Sequence, residues 1–481
     1  MAANHPHWAL KFKKKGTELR CIRGRYYLYN VSSKWDKEKK RARKITGKCL
    51  GSITPDGFTP SKSTADAAQE FKPSVKNYGA YTFFKNEFQD WLGPLSNIFT
   101  KHWKQLFCLA CIRLFHRAPI KRMPVIFENS YFSEEFSGLP FSDKTIGKIL
   151  NETGNNQAAI DKFLKSFIKE EHIALIDATP IFSQSKNIYE ARLGYNNKKQ
   201  WDPQINLLYL YDHKLAMPLY YRLTQGDLRE IKTLEITLEA VGFRNAIIIG
   251  DKGFSSALNE EILTQKNLKY ILPLKRVSSK IDYTAFKPIN KDTMDGYFKF
   301  KERYIWFKKS KNSDKTVITY LDEQLKVVEE RDYLDRVKKY PEEYNVEKFH
   351  KNSHKMGSLA LITNLNEYTA DELYHTYKSR CEVEQLFDVF KNMLNADKTY
   401  MHNIESIKGW LFINHLAIIA YYKIYKLLKD QKLLNNISVE DLIVHLNHIN
   451  KIKINKEWWL QEIPNKTKKI LEKCNLNLHI T

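Results

Sequence analysis

The stretch RNAIIIGDKGF, residues 244–254, has the pattern of a buried strand that ends at an acid. Three consecutive isoleucines predict a strand covered on both faces, and Gly253 permits a tight turn into the next helix. Similar apolar runs recur along the chain, separated by segments of helical periodicity: HIALID (172–177), INLLYLYD (205–212), LKYILPLK (268–275) and SLALITN (358–364). Strands and helices that alternate in this way predict an α/β layer.

Two of these predicted strands end at an aspartate, Asp177 after IALI and Asp251 after IIIG. A buried strand delivers its last residue to the edge of the sheet, where open α/β sheets bind ligands. A turn-forming or capping role explains a single strand-end aspartate equally well. The pair therefore indicates a site only if a third group joins it.

A third acid comes from YHTYKSRCEVEQLFDVFK, residues 374–391, which has the periodicity of a single helix. Glu382 points roughly 160° away from Glu384 if each residue turns about 100° around the helix axis. On the same assumption, four residues share an arc of about 60°: Tyr377, Arg380, Glu384 and Lys391. The phase therefore selects Glu384 as the third acid, although a solvated face with salt bridges gives the same stripe.

Three carboxylates suit a particular chemistry. They supply the oxygen ligands that Mg²⁺ prefers, and they can hold two ions about 3.5–4 Å apart. We therefore expect Asp177, Asp251 and Glu384 to be catalytic residues and metal ligands. Arg380 and Lys391 lie one to two turns from Glu384, where they can bind the phosphates of a strand being cut.

The spacing of the helix residues resembles a family signature. Tyr377-x-x-Arg380-x-x-x-Glu384-x-x-x-x-x-x-Lys391 is similar to the YREK motif of DDE insertion-sequence transposases. Asp177 and the aspartate of GDKGF resemble that family's first and second aspartates, although DATP after the first strand is a looser match. The resemblance covers roughly residues 171–428, and a β-rich segment before the third acid is also similar.

The resemblance has several implications. It implies a ribonuclease-H-like catalytic domain that uses two Mg²⁺ ions, with Mn²⁺ as a substitute. It implies cutting and joining of double-stranded DNA at the terminal inverted repeats of the protein's own mobile element. Tyr377, Arg380 and Lys391 would contact that DNA, and the active form would be a homodimer on paired DNA ends. A metal-dependent nuclease without strand transfer, and a catalytically idle DNA-binding protein derived from a transposase, remain alternatives.

Composition divides the chain into five predicted regions. They are a basic, DNA-binding region with a β-hairpin (1–95), a helical region (96–170), the catalytic domain (171–275 and 357–430), a β-rich insertion (276–356) and a small helix and strand unit (431–481). We expect the insertion to be a separate layer that binds DNA outside the catalytic sheet. Residues 142–169 fit either a helix-turn-helix that reads DNA or two packed helices.

The charge of the chain indicates which class of partner it binds. The formal charge of +23, with 78 Lys and Arg against 55 Asp and Glu, favours a polyanion, nucleic acid before an anionic membrane. The longest apolar run, 410–425, is interrupted by Asn414, His415 and Lys423 and falls short of the roughly 20 residues of a membrane span. It predicts a buried helix. Six scattered cysteines are typical of a reduced compartment, so we expect a cytoplasmic, nucleoid-associated protein of a prokaryote.

Overall fold

A computed structural model describes residues 5–476, apart from 37–38, 62–73, 170, 184, 186, 196–200, 228–229, 288, 313, 400 and 455–456. The chain forms two compact units. The smaller consists of Met1–Val75 and Lys451–Leu460, and the larger of Lys76–Asn450 and Gln461–Thr481. The predicted boundary at residue 95 therefore lies inside the larger unit, and the predicted C-terminal unit 431–481 is not a separate body.

The strands, in chain order, are β1 (Thr17–Ile22), β2 (Arg25–Asp36), β3 (Arg41–Thr54), β4 (Gly57–Pro60), β5 (Ser74–Asn77), β6 (Glu171–Ser183), β7 (Arg192–Tyr195), β8 (Trp201–Asp212), β9 (Met217–Gln225), β10 (Asn245–Ile249), β11 (Lys269–Leu274), β12 (Gly296–Phe300), β13 (Arg303–Asn312), β14 (Lys315–Asp322), β15 (Ser358–Thr363), β16 (Lys398–Thr399), β17 (Asn450–Ile454) and β18 (Glu457–Leu460).

The α-helices are α1 (His7–Leu10), α2 (Gly79–Glu87), α3 (Gln89–Ile98), α4 (Trp103–His116), α5 (Met123–Asn129), α6 (Phe132–Glu135), α7 (Asp143–Asn155), α8 (Gln157–Lys165), α9 (Glu230–Val241), α10 (Ala257–Gln265), α11 (Glu323–Lys339), α12 (Val346–Asn352), α13 (Ala370–Lys378), α14 (Cys381–Asp388), α15 (Ile404–Asp430), α16 (Val439–Asn447) and α17 (Asn465–Lys473).

The larger unit is built on one mixed sheet with the order β12-β13-β14-β15-β11-β10-β6-β8-β7, in which β9 also pairs with β8 and β16 with β6. The strands β6, β10 and β11 are parallel neighbours, whereas β8 and β9 form an antiparallel hairpin. The large mixed sheet confirms the expected α/β class. Its parallel centre follows from the apolar runs that the sequence places in β6, β10 and β11.

The strand that contains Asp177 is longer than the sequence suggests. We expected the strand to end at Asp177, but β6 continues to Ser183 and pairs with β8 as far as Phe182. The strand continues through Pro180, although a proline has no N–H to donate. The N–H of Phe182 donates to Asp397 O, on the side of β6 away from β8. Because N–H groups two residues apart face the same side of a strand, the nitrogen of Pro180 faces that side too and costs β8 no hydrogen bond.

The β-rich insertion is not a separate layer, so that expectation is wrong. Its strands β12, β13 and β14 form an antiparallel meander, and β14 pairs with β15 from Thr316↔Thr363 to Leu321↔Ser358. The insertion therefore extends the large mixed sheet at one edge. The physical reason is that an apolar strand such as β15 leaves a row of unpaired backbone groups, which β14 satisfies. The insertion does not separate β6 from β10, which pair directly.

The long helix α15 is the centre of the larger unit. On one side Phe412 contacts Phe99 and Phe163, with ring centroids 5.0 and 5.3 Å apart, and on another His415 lies against Tyr209 of β8. The apolar run at 410–425 is thus a buried helix, as predicted. In the described part of the chain, no helix has the length and apolar character needed to cross a membrane.

The helices α7 and α8, predicted as either a DNA reader or a packed pair, are packed into the larger unit. Gly154 of α7 and Gly409 of α15 allow the two backbones to touch: a Cβ built on Gly154 would lie 1.8 Å from Glu405 O, and one on Gly409 would lie 2.0 Å from Leu150 O. The structure therefore supports the interpretation of two packed helices.

The smaller unit contains the four-stranded antiparallel sheet β1-β2-β3-β4, with β17 and β18 as an antiparallel hairpin. The strands β2 and β3 form the basic hairpin that the sequence predicts. A small apolar cluster covers one end of this sheet, formed by Ala9, Leu19, Leu28 and Ile53.

Candidate functional site

Asp177 lies in a gap along one edge of β6. The parallel partner β10 pairs with β6 only up to Ile249↔Leu175, and β16 joins the same edge at Lys398↔Phe182. Between these two neighbours the edge of β6 is open, and there the N–H of Ala178 donates to Asp177 Oδ1 at 2.8 Å. The sequence thus places a carboxylate where the sheet leaves backbone groups accessible.

Asp251 reaches the same region from β10. Continuing the parallel register two residues beyond Ile249↔Leu175 brings Asp251 level with Asp177. Its Oδ1 accepts hydrogen bonds from Gly253 N at 2.7 Å and Phe254 N at 3.3 Å, an Asx turn that fixes the carboxylate at the start of the loop. The two aspartates are therefore neighbours, with Asp251 also stabilising its own turn.

The helix that brings the third acid is interrupted, in contrast to the single helix that we expected. It consists of α13, a junction at Ser379–Arg380, α14 and a π-helical turn at Val389–Met393. At the junction the backbone bonds join residues three apart, as in Arg380 N to Tyr377 O, and Ser379 Oγ donates to Thr376 O. Such bonds tighten the turn, whereas a π turn loosens it. A uniform 100° phase therefore does not hold as far as Lys391.

Glu384 and Asp177 are joined through Arg380. The guanidinium donates to Glu384 Oε1, and its Nη1 lies 3.4 Å from Asp177 Oδ2. The same face of the sheet supports α14, because Tyr209, opposite Asp177 on β8, packs on Phe387 with ring centroids 6.1 Å apart. Packing of α14 on this face thus brings the third acid to the gap in β6.

Tyr377 and Lys391, the other two residues of the predicted motif, both lie near the acids. Tyr377 is only 9 % exposed; burial raises its pKa, and its environment includes the charges of Arg380, Asp251 and Glu384. Burial lowers the pKa of the Lys391 ammonium, which the carboxylates of Asp397 and Asp177 oppose. The structure thus brings all six predicted residues into one electrostatic environment.

Glu382 lies elsewhere. Its Oε2 is 3.0 Å from Nδ1 of His213, in the turn between β8 and β9. This contact was not predicted, since nothing in the sequence relates two residues so far apart. Asp397 was also not predicted as a neighbour of the site: its backbone oxygen bonds β6, and its carboxylate acts on Lys391.

The acids repel one another. The pKa of Asp177 is raised to about 6, chiefly by burial and also by the charges of Asp251 and Glu384, against the hydrogen bond from Ala178 N and the charge of Arg380. A cation relieves such repulsion, and an all-carboxylate donor set suits a hard divalent ion. Within the described ranges, however, no three His, Cys, Asp or Glu side chains are close enough to hold one ion. The donor set fits a divalent metal, but Glu384 is turned to Arg380.

Comparison with known proteins identifies the class. Residues 169–420 match the model of the transposase DDE domain family, which is more than half of the 481-residue chain. The chain therefore belongs to the transposase DDE domain family. No curated relative is found by sequence comparison.

One solved structure is similar in outline. It is a piggyBac transposase synaptic complex with hairpin DNA, determined by cryo-EM, and it is 12% identical in sequence. The similarity covers 77% of this chain and 78% of the other, with a TM-score of 0.39.

Proposed function

We propose that the protein is a DNA transposase that cuts and joins double-stranded DNA at the terminal inverted repeats of its own mobile element. Asp177, Asp251 and Glu384 form its catalytic centre on a ribonuclease-H-like core. The observation that carries the proposal is the gap in β6, where Asp177 and Asp251 each lie two residues beyond the last β6–β10 pair and Arg380 links Asp177 to Glu384. Family membership adds the reaction class.

The residues around the acids have roles that follow from their positions. Arg380 lies between two carboxylates and carries a fixed positive charge with several donors, so it can bind a scissile phosphate beside the acids. Tyr377 and Lys391 line the same environment and would contact DNA on either side of Arg380. Asp251, fixed by its Asx turn, gives the centre one ligand of constant orientation.

The metal belongs to the proposal as well. Transposase DDE domains generally use a divalent cation, and we propose two Mg²⁺ ions, replaceable by Mn²⁺, held by the three acids. When bound, the ions activate the attacking water or 3′-hydroxyl and stabilise the leaving oxygen. Glu384 has to leave Arg380 to join them, which frees the guanidinium for a phosphate. We further propose that the enzyme acts as a homodimer on paired DNA ends, in the cytoplasm of a prokaryotic cell.

A plasmid-cleavage assay with Mg²⁺ tests this function. The substrate carries the DNA that flanks the coding sequence on both sides, where terminal inverted repeats are expected. Asp177→Asn, Asp251→Asn and Glu384→Gln should each abolish cleavage, because each removes a charge that holds metal. A gel shift on the same variants should show DNA binding that persists, since Arg380 and Lys391 remain.

Glu382→Gln is the matched control. It makes the same chemical change two residues away from Glu384, and the amide can still bond His213. Cleavage should stay near the wild-type level. If Glu382→Gln is inactive and Glu384→Gln is active, the centre is assigned to the wrong glutamate. Cleavage without joined products would indicate a nuclease, and binding without cleavage an idle DNA-binding protein.

A further inference from the structure

The hairpin β2–β3 extends beyond the core of the smaller unit as a two-stranded ribbon. Six consecutive pairs, from Val31↔Thr46 to Asp36↔Arg41, form this ribbon. None of its described residues is buried, whereas Leu28 and Ile53, nearer the base of the hairpin, are. Six pairs at about 3.3 Å per residue span roughly 17 Å. The ribbon, Val31–Asp36 with Arg41–Thr46, thus has both faces open to solvent.

The two faces of the ribbon differ in charge. Directly paired residues share a face, so Lys34, Arg43 and Arg41 point to one side, and Trp35 and Lys44 to the other. On the second side, Lys44 Nζ forms an ion pair with Glu18 at 2.6 Å. Among the described residues, no ion pair is found for Lys34, Arg41 or Arg43. Within the described part of the ribbon, the cationic face, Lys34, Arg41 and Arg43, carries one acid, Asp36, which lies opposite Arg41.

The pair Lys34↔Arg43 is costly for the folded protein. Like charges directly opposite each other on one face of an antiparallel pair destabilise it. A polyanion bound on this face removes that cost. The exposed Trp35, 62 % accessible, adds apolar surface that folding of this unit leaves uncovered. The like-charge pair indicates an anionic partner for this face of the ribbon, whereas Trp35 lies on the opposite face.

The size of the ribbon indicates which anionic partner it fits. The major groove of B-form DNA, about 12 Å wide and 8.5 Å deep, accepts a two-stranded β-ribbon. Arg and Lys bonded to guanine O6 and N7 are the commonest specific contacts there. The opposite face is less suited, because Glu18 would bring a carboxylate toward the phosphates.

We propose that the ribbon lies in the major groove of duplex DNA, with Lys34, Arg41 and Arg43 toward the base edges. The inference rests on the proposed transposase function for its partner, and it assigns DNA recognition to a part of the chain outside the matched family domain. The smaller unit thereby recognises DNA, while the acids of the larger unit cut it.

Binding by the full chain tests the ribbon separately from catalysis. The protein carries Asp251→Asn, the buffer contains EDTA, and the probe is a 30-base-pair mixed-sequence duplex followed by fluorescence anisotropy. Arg43→Gln and Lys44→Gln are a matched pair: neighbours on β3 that each lose one positive charge, on opposite faces. We expect Arg43→Gln to weaken binding about tenfold or more, and Lys44→Gln about twofold at most.

The same duplex probe tests whether the ribbon binds in the major groove. Methylation of guanine N7 should weaken binding of the protein with an intact ribbon, and netropsin, which occupies the minor groove, should not displace it. Equal losses for Arg43→Gln and Lys44→Gln, no loss for Arg43→Gln, or displacement by netropsin would each overturn the proposal. If the ribbon fails in this way while wild-type protein still cleaves plasmid with Mg²⁺, the transposase function stands. If the Asp251→Asn protein with an unchanged ribbon binds no duplex at all, both the ribbon proposal and the transposase proposal are contradicted.

Discussion

At the scale of single residues, the candidate site lowers the stability of the folded protein. Asp177 is largely buried, with only 18% of its side chain exposed, and this burial, together with the charges of two other acids, raises its pKa to about 6. Arg380 compensates only in part. A buried carboxylate near other acids destabilises the metal-free protein. Replacing Asp177 with a neutral side chain should therefore make the metal-free protein more stable.

The pH dependence of this effect has a definite sign. Below pH 3.8 the carboxyl of Asp177 is neutral in the folded and unfolded chain alike. As the pH rises to about 6, the unfolded chain loses its proton first, so the folded state loses stability, by on the order of 3 kcal/mol in full. Asp177→Asn does not titrate. In EDTA, its free energy of urea unfolding should therefore exceed that of wild type increasingly from pH 4 to pH 7.

A divalent metal should reduce the difference in stability between wild type and Asp177→Asn. With Mg²⁺ or Mn²⁺ in excess, the wild type gains binding energy that Asp177→Asn cannot, so the difference between the two proteins should shrink at pH 7. A difference that is constant with pH in EDTA would show that the pKa of Asp177 is not raised in the folded protein. It would contradict the electrostatic description of the site.

The limits of prediction at this scale are clear from Arg380. The sequence places it on the same stripe as Glu384, and the structure brings the two into contact. The second contact, to Asp177, depends on packing between segments 203 residues apart. Periodicity within a helix contains no information about which strand that helix packs on. The same is true of Glu382 and His213.

At the scale of elements, strand positions were predictable and strand ends were not. Apolar runs located the strands β6, β8, β10, β11 and β15, because burial in the sheet requires them. The true end of β6 depends on β8, which extends it past Pro180, and on the early end of β10. The break between α13 and α14 was missed because Ser379 and Arg380 have no strong helix-breaking tendency.

The contact of α7 with α15 allows a prediction at the same scale. Gly409→Ala should destabilise the protein by about 1–3 kcal/mol or more, because its Cβ has no room between two backbones. Its Cβ would lie 2.0 Å from Leu150 O. Thermal unfolding followed by circular dichroism measures the change.

Gly147→Ala on α7 is the control for this contact. A Cβ at this position meets nothing within 4 Å, so the change should stabilise the helix by about 0.5–1 kcal/mol, as Gly→Ala does in helix interiors. If Gly409→Ala and Gly147→Ala shift the thermal unfolding temperature in the same direction, α7 and α15 are not packed as closely as described.

At the scale of the whole molecule, the charge of +23 is the dominant property. We expect affinity for duplex DNA to depend strongly on salt. If Z phosphates are neutralised, log K should fall against log[NaCl] with a slope of about −0.9Z. Titrations of Asp251→Asn protein between low and physiological salt measure this slope. A binding constant that does not change with salt would contradict a phosphate-based interface.

The order of the site residues along the chain also determines when each of them is synthesised. Asp177 is translated early, but β10, α14 and β16, which complete its surroundings, follow it in the chain, and Glu384 comes 207 residues later. At about 5–20 residues per second, that interval is roughly 10–40 s of translation. A nascent chain therefore leaves the ribosome with its first acid already in place and its third still missing. If Asp177, Asp251 and Glu384 cut DNA together, as we propose, a chain that ends before residue 384 should lack cleavage activity.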